Sequence, residues 1–352
     1  MLEYTKSEAK DWARKNYRGL ESCIYPSFTP DLKELDEDAI RYDVNFEAKN
    51  GFFSILLCAG AGGLTFEEKL RFAEIVNDEA KGKILSSLYI EGDTIEDQLL
   101  LLDHHEKTGG NHALLGFPQN YYAATAEDAY QAIAKMANHT NLAVDIYPTT
   151  KFNLGRFHPG SGFPPEFMER LADLPNVAGM KIGHGPVFIP GYSEECYRRC
   201  GDKILVNQPI FDWWPVSTKM YDAKWSGGCP WHAFQTPDNP RAVKCFDLFL
   251  EGKEDEAFEL FWQIAPVWQA LTRDVMTYGM GGIYNYQLWK YTQWLTGGNG
   301  GLLRMPMHRL YDHDALAIKT AMQMCGIEVR DAPMEEYYIG RLNWEKGHRI
   351  KV

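Results

Sequence analysis

The feature that most restricts this chain is a unit that recurs over its first 238 residues: a short apolar run ending in small residues, then a hydroxyl residue that opens an amphipathic segment. FFSILLCAGAGG leads into Thr65-Phe-Glu-Glu68, ILSSLYIEGD into Thr94-Ile-Glu-Asp97, and HALLGFPQNYY into Thr125-Ala-Glu-Asp128. In each, the hydroxyl can accept the third residue's backbone N–H while the acidic side chain sits beside the positive end of the coming helix. Such a unit marks the C-terminal end of a strand turning into a helix.

Five more apolar runs, ESCIYPSF, LAVDIYP, VAGMKIG, KILVNQP and a weaker AKWSGG, bring the candidate strands to eight. Alternation of this kind implies a parallel sheet covered by helices, and eight units favour closure into a (β/α)8 TIM barrel over an open doubly wound sheet. After about residue 238 the alternation stops, and residues 240–276 read as two long helices with further helical stretches to the end. The expected organisation is therefore a barrel over 1–238 that carries the active site, and a C-terminal helical extension over 239–352 packed on it.

Composition narrows the function classes. With 45% hydrophobic and 24% charged residues the chain has ample material for a core. Its formal charge of −12 repels polyanions, so neither nucleic acid nor an anionic membrane is expected as a partner. The first residues are polar, without the apolar stretch of a secretory signal, and no run of about 18 uncharged apolar residues follows, which predicts a cytoplasmic protein. Seven scattered cysteines form no C-x-x-C pair and are expected to be reduced core residues.

In such barrels the active site lies at the C-terminal ends of the strands. Val-Ala-Gly-Met-Lys181 puts a lysine at the end of an apolar run, where burial would lower its pKa and free a nucleophilic amine. From spacing alone, a strand-end lysine pointing to solvent is the competing reading. Val-Asp-Ile-Tyr147-Pro ends the preceding strand in a phenol, which suits either a proton relay or a cap on the barrel core.

At these residues the sequence resembles the dihydrodipicolinate synthase and N-acetylneuraminate lyase superfamily of class I aldolases and dehydratases. The marks are Tyr25-Pro-Ser-Phe-Thr29-Pro30, Leu64-Thr-Phe-Glu-Glu68, Tyr121-Tyr122, Tyr147-Pro and Val-Ala-Gly-Met-Lys181, in that order. The resemblance implies a (β/α)8 barrel with appended helices, an imine on Lys181 and a proton shuttle on Tyr147. It also implies a second phenol from Tyr122 that reaches a neighbouring subunit's site, hence a homo-oligomer, dimer or tetramer. It calls for a small-molecule carbonyl substrate, no cofactor and no metal.

Two segments resemble the aromatic hydratase-aldolase branch, which splits benzylidenepyruvates into an aldehyde and pyruvate. They are Lys-Trp225-Ser226-Gly-Gly and Ile-Tyr-Asn285-Tyr-Gln-Leu-Trp-Lys290, and they imply substrate contacts for Trp225, Ser226 and Asn285. Departures are also plain. Where the family has Gly-Thr-Thr-Gly-Glu, whose hydroxyls hold a keto acid's carboxylate, this chain has Cys58-Ala-Gly-Ala-Gly-Gly63; the backbone N–H groups of Gly60, Ala61 and Gly62 are the expected substitute. Lys151, Arg156 and His158 are added near the predicted mouth, and Trp213, Trp214, Trp225 and Trp231 cluster after strands seven and eight. Of these the pocket reading is kept for Trp225, while Trp262, Trp268 and Trp294 are expected to pack helices.

A metal-dependent hydrolase is disfavoured because the His-x-His pair that often opens such sites is absent, and Gly60-Ala-Gly-Gly63 lacks the G-x-G-x-x-G spacing of a dinucleotide site. The expected function is a Schiff-base lyase of hydratase-aldolase type joining or splitting a 2-keto acid and an aromatic aldehyde. The alternatives are a Schiff-base dehydratase or lyase on a non-pyruvate carbonyl compound, and an inactive barrel serving as a ligand sensor.

Overall fold

The computed structural model describes residues 2–60, 62–118, 121–149, 152, 156–157, 165–183, 190–278, 284–307 and 309–349. Eight strands follow in order: β1 (Gly19–Ile24), β2 (Ser54–Leu57), β3 (Leu85–Ile90), β4 (His112–Leu115), β5 (Ala143–Ile146), β6 (Val177–Lys181), β7 (Leu205–Asn207) and β8 (Trp225–Gly227). All pair in parallel in the order β7-β6-β5-β4-β3-β2-β1-β8, a TIM barrel. The seam between β7 and β8 is closed by a side chain: the Asn207 amide donates to the Gly227 carbonyl at 3.4 Å and its Oδ1 accepts the Gly227 N–H at 3.2 Å.

An N-terminal helix, α1 (Ala9–Asn16), lies against β5 and β6. The barrel helices are α2 (Glu37–Lys49), α3 (Phe66–Ala80), α4 (Ile95–Thr108), α5 (Ala126–His139), α6 (Pro165–Ala172), α7 (Pro190–Cys200) and α8 (Trp214–Tyr221). The three hydroxyl-acid motifs open α3, α4 and α5 as reciprocal capping boxes: Thr65, Thr94 and Thr125 accept from the N–H groups of Glu68, Asp97 and Asp128 at 3.2, 3.0 and 3.1 Å. Each such cap is worth about 1 kcal/mol and, more to the point, fixes where the strand's loop ends.

The extension is α9 (Arg241–Leu250), α10 (Glu254–Tyr278), α11 (Tyr286–Leu295), α12 (Asp312–Met324), α13 (Met334–Ile339) and α14 (Arg341–Glu345). Its junction with the barrel is ionic as well as apolar. Lys290 of α11 donates to Ser27 Oγ at 2.9 Å and to the Pro26 carbonyl, just beyond β1, and Glu47 of α2 takes the Gln293 amide at 2.8 Å with His232 at 3.0 Å. Burial pushes Lys290 down to about 8 and Asp43, which faces it from α2, up to about 7. Burying such groups is costly unless they are mutually satisfied, so this cluster fixes how α11 sits beside the C-terminal end of β1. Trp214 and Trp231 pack together at 4.9 Å and Trp268 and Trp294 are buried, whereas Trp262, expected to pack helices, lies 67% exposed on α10.

Among the described residues, no helix is long and apolar enough to cross a membrane.

Candidate active site

Strand alternation sends Cys23, Leu56, Leu114 and Lys181 into the barrel near its C-terminal end, where they line a small cavity of about 20 Å³. Tyr89, Tyr147, Cys58 and Cys229 complete the wall from the strand ends, and Tyr284, Tyr286 and Trp289 close it from the extension. Lys181 is only 6% exposed, so the solvent-pointing reading falls. Its Nζ donates to the Gly228 carbonyl at 3.0 Å and stands 5.3 Å from the centre of the Tyr147 ring. Gly228 has φ +69°, and a Cβ there would lie 1.9 Å from Lys181 Nζ. Only glycine combines that backbone conformation with room for the amine.

The expectation that burial lowers the Lys181 pKa is corrected. Burial does act in that direction, but Tyr147, Cys229, Cys23 and Glu21 outweigh it and Lys181 is pushed up to about 12. The thiols raise it only as thiolates, and burial pushes the Cys229 thiol itself up to about 12 and the Cys23 thiol well above its ordinary value. Near neutral pH the thiols are therefore uncharged. The Tyr147 hydroxyl meets that of Tyr284 at 2.5 Å, and burial pushes the Tyr284 phenol well up.

Below Lys181, the barrel interior is charged. Ser54 Oγ meets His112 Nε2 at 2.8 Å, His112 Nδ1 lies 3.3 Å from Asp145, Glu21 is 3.8 Å from the same imidazole, and Tyr17 donates to Asp145 at 3.4 Å. Burial, against the pull of His112 and Lys181, raises Glu21 to about 7, and burial raises Asp145 as well.

The remaining predicted site residues that the structure describes do not line this cavity. Trp225 is the first residue of β8, pairs with Gly19, and packs on Tyr17 and Phe53 at 5.3 and 6.1 Å, at the N-terminal end of the barrel. Its substrate contact is thereby corrected. Ser226 points the other way, accepting from Trp214 Nε1 and donating to the Gln208 carbonyl, both at 3.0 Å, and so ties α8 to the outer wall. Asn285 caps α11 through the Leu288 N–H at 3.0 Å, which orients the two tyrosines beside it.

Tyr122 is 69% exposed in the loop after β4, with the Arg156 guanidinium 3.8 Å over its ring. Gly60 is covered by Glu91, whose Oε2 would lie 1.9 Å from an added Cβ, and the Gly62 carbonyl accepts the Arg304 N–H at 3.2 Å. Ala61, Lys151 and His158 lie outside the described residues. Among the described residues, no three His, Cys, Asp or Glu side chains are arranged to hold a metal ion.

A family model described as the dihydrodipicolinate synthetase family matches residues 16–208, from the approach to β1 to the end of β7. The chain belongs to this family. Among curated relatives, the 4-hydroxy-tetrahydrodipicolinate synthase of Syntrophobacter fumaroxidans is 27% identical over 179 residues, 49% of this chain and 57% of the relative. That of Chloroherpeton thalassium is 31% identical over 176 residues, 49% of this chain and 56% of the relative. The chain thus spans little more than half the length of these relatives. Solved structures similar in fold include dihydrodipicolinate synthase from Aquifex aeolicus, with a TM-score of 0.74 and 18% identity over 90% of this chain and 100% of that one. N-acetylneuraminate lyase from Fusobacterium nucleatum gives 0.70 and 17% over 87% and 98%. The dihydrodipicolinate synthetase family match stops before β8 and the extension, the parts that bring Gly228, Tyr284 and Trp289 to Lys181.

What sequence reasoning missed was the three thiols of the wall, the charged interior and the extension's two tyrosines. Inward alternation could have found Glu21, Cys23 and Cys58. Nothing local points Tyr284 at Tyr147.

Proposed function

We propose that the protein is a Schiff-base lyase of class I aldolase type, with Lys181 as the attacking amine and Tyr147 as the proton carrier. The observation that carries this is a buried amine lining a small cavity with a phenol hydroxyl pair beside it. Once Lys181, held as the ammonium near neutral pH, has lost a proton to water, its neutral amine adds to the carbonyl carbon and the carbonyl oxygen takes up the proton the nitrogen loses. Tyr147 then protonates the carbinolamine hydroxyl, the C–O bond breaks, water leaves, and the nitrogen lone pair forms the iminium. The iminium then accepts the electron pair of the carbon–carbon bond one removed from its carbon as that bond breaks, leaving an enamine, while the hydroxyl on the departing carbon gives its proton to the Tyr147 phenolate and becomes the aldehyde.

The finer reading is a hydratase-aldolase acting on a 2-keto acid such as pyruvate and an aromatic aldehyde, supported by the aromatic lining of Tyr89, Tyr147, Tyr284, Tyr286 and Trp289. A second reading, a lyase or dehydratase on a carbonyl compound other than a pyruvate adduct, is favoured by one observation: the Glu91 carboxylate occupies the space over Gly60 where a keto acid's carboxylate was expected. A dimer or tetramer and a cytoplasmic location belong to the same proposal, the first checked by light scattering.

The test is borohydride reduction in the presence of pyruvate and, separately, benzaldehyde, followed by peptide mass mapping. An adduct on Lys181 is expected. A folded protein that forms none with either compound would sink the Schiff-base reading, and an adduct with benzaldehyde alone would remove pyruvate and leave the second reading.

A further inference from the structure

The strongest unassigned contact in the cavity is the one between Tyr147 on the barrel and Tyr284 on the extension, with hydroxyls 2.5 Å apart. Their rings are held on both sides. Tyr89 meets Tyr147 edge-on at 5.7 Å, and Tyr284 packs against both Tyr286 and Trp289 at 5.7 and 5.6 Å, on a segment fixed by the Asn285 cap and the buried Lys290 anchor. Two hydroxyls this close share one proton along the line between them, so one donates and the other's remaining proton is free to point at a substrate.

We propose that Tyr284 is the positioning residue for the proton carrier: it donates to Tyr147, aims the Tyr147 proton at the carbinolamine on Lys181, and steadies the Tyr147 phenolate once that proton has gone. The inference rests on the Schiff-base reading. It gives a phenol beside Tyr147 to the same chain, whereas Tyr122 lies exposed in the loop after β4 and does not line this chain's cavity. Either hydroxyl can donate in the resting pair, and burial holds the Tyr284 phenol well above its ordinary value, so Tyr284 keeps its proton when Tyr147 gives one up.

The step balances within these groups. Amine, carbonyl and the neutral Tyr147 phenol become iminium, water and phenolate, with Tyr284 keeping its own proton while hydrogen-bonded to the phenolate oxygen. A hydrogen bond made to the charged form lowers the pKa of its acceptor, so removing it raises that pKa. Among the described residues, the titratable groups around Tyr147 include Tyr89 on β3, Lys181 on β6, Tyr284 and Tyr286 from the extension, and Cys58 and Cys229 in the same cavity wall. Tyr284→Phe changes one of these groups and leaves the others in place.

The rate of borohydride-trapped adduct on Lys181 would be followed against pH, with whichever of pyruvate and benzaldehyde the wild type accepts, in Tyr284→Phe, Tyr147→Phe, the double variant and Tyr122→Phe. Thermal melting would show that each variant is folded. Tyr284→Phe is expected to slow trapping roughly tenfold, the worth of one hydrogen bond, and to move the alkaline limb upward by about one unit. The double variant is expected to be no slower than Tyr147→Phe, since the two phenols act as a unit. An unmoved alkaline limb in a folded Tyr284→Phe, or additive losses in the double variant, overturns the proposal. So does a shift of that limb in Tyr122→Phe and not in Tyr284→Phe. Failure of the wild type itself to form any adduct identifies a failure of the Schiff-base reading instead.

Discussion

The two ends of the barrel interior are built from opposite materials. At the C-terminal mouth, Lys181 is surrounded by thiols, phenols and an indole, groups that carry no fixed charge and leave a cavity. At the N-terminal floor, Glu21, His112, Asp145 and Ser54 interlock beneath the same lysine, and Tyr17 and Trp225 seal them from solvent. The contrast separates two jobs that a buried amine imposes. A reacting carbonyl needs space and a proton carrier, whereas the cation that precedes and follows the reaction needs an anion that stays put. A charge buried without a partner is expensive, so the floor makes the mouth tenable.

The sharpest way to break this division is at Gly228. Gly228→Ala would set a Cβ against the Lys181 amine in a backbone conformation that disfavours it, and displacing a nucleophile by an ångström costs on the order of 100-fold. Adduct formation is expected to fall by at least that factor while the melting temperature moves little. Wild-type trapping in this variant would mean that the amine reacts from another position.

Trp225 tests the other end. Trp225→Ala removes a fully buried indole from the floor and should destabilise the protein by about 3–5 kcal/mol in denaturant titrations. Trapping per folded molecule should stay near wild type. A selective loss with aromatic aldehydes in the folded variant would instead restore the substrate-contact role that the resemblance suggested.

Glu21 links the two ends and gives a smaller, pH-dependent effect. Burial raises it to about 7, so the folded state holds this proton over a range where the unfolded chain has released it. Its contribution to stability is therefore full below the ordinary carboxylate range and is lost as pH rises through 7. Relative to wild type, Glu21→Gln should gain up to ~3 kcal/mol between pH 4.5 and 7.5, and the pH at which Lys181 becomes reactive should move down as its anionic neighbour is removed. Parallel stability curves for the two proteins would show that Glu21 is not the titrating group.

Much of the barrel was legible because its signals are local. A threonine three residues before an acid reports a helix start wherever it occurs, and Thr65, Thr94 and Thr125 each do so. Lys181 and Tyr147 were legible for a related reason, since both stand at the ends of apolar strands where a barrel keeps its chemistry. Trp225 was misplaced because β8 has only three residues, too few to reveal that the indole begins the strand. Tyr284 was illegible because its role depends on a distant element: only the packing of α11 by Lys290, Gln293 and Asn285 turns it toward Tyr147. The lysine's pKa was misjudged for a similar reason, as its neighbours come from β1, β5 and the turn after β8.

The place of Tyr284 in the chain has a consequence for synthesis. When the eighth strand has left the ribosome, the growing protein already owns its amine at Lys181 and its phenol at Tyr147, but the residues that roof them are still being joined. The most reactive group is made long before the part that disciplines it. Until α11 arrives, that lysine stands under an open roof, which makes the final third of the chain the guardian of the first two as much as their partner.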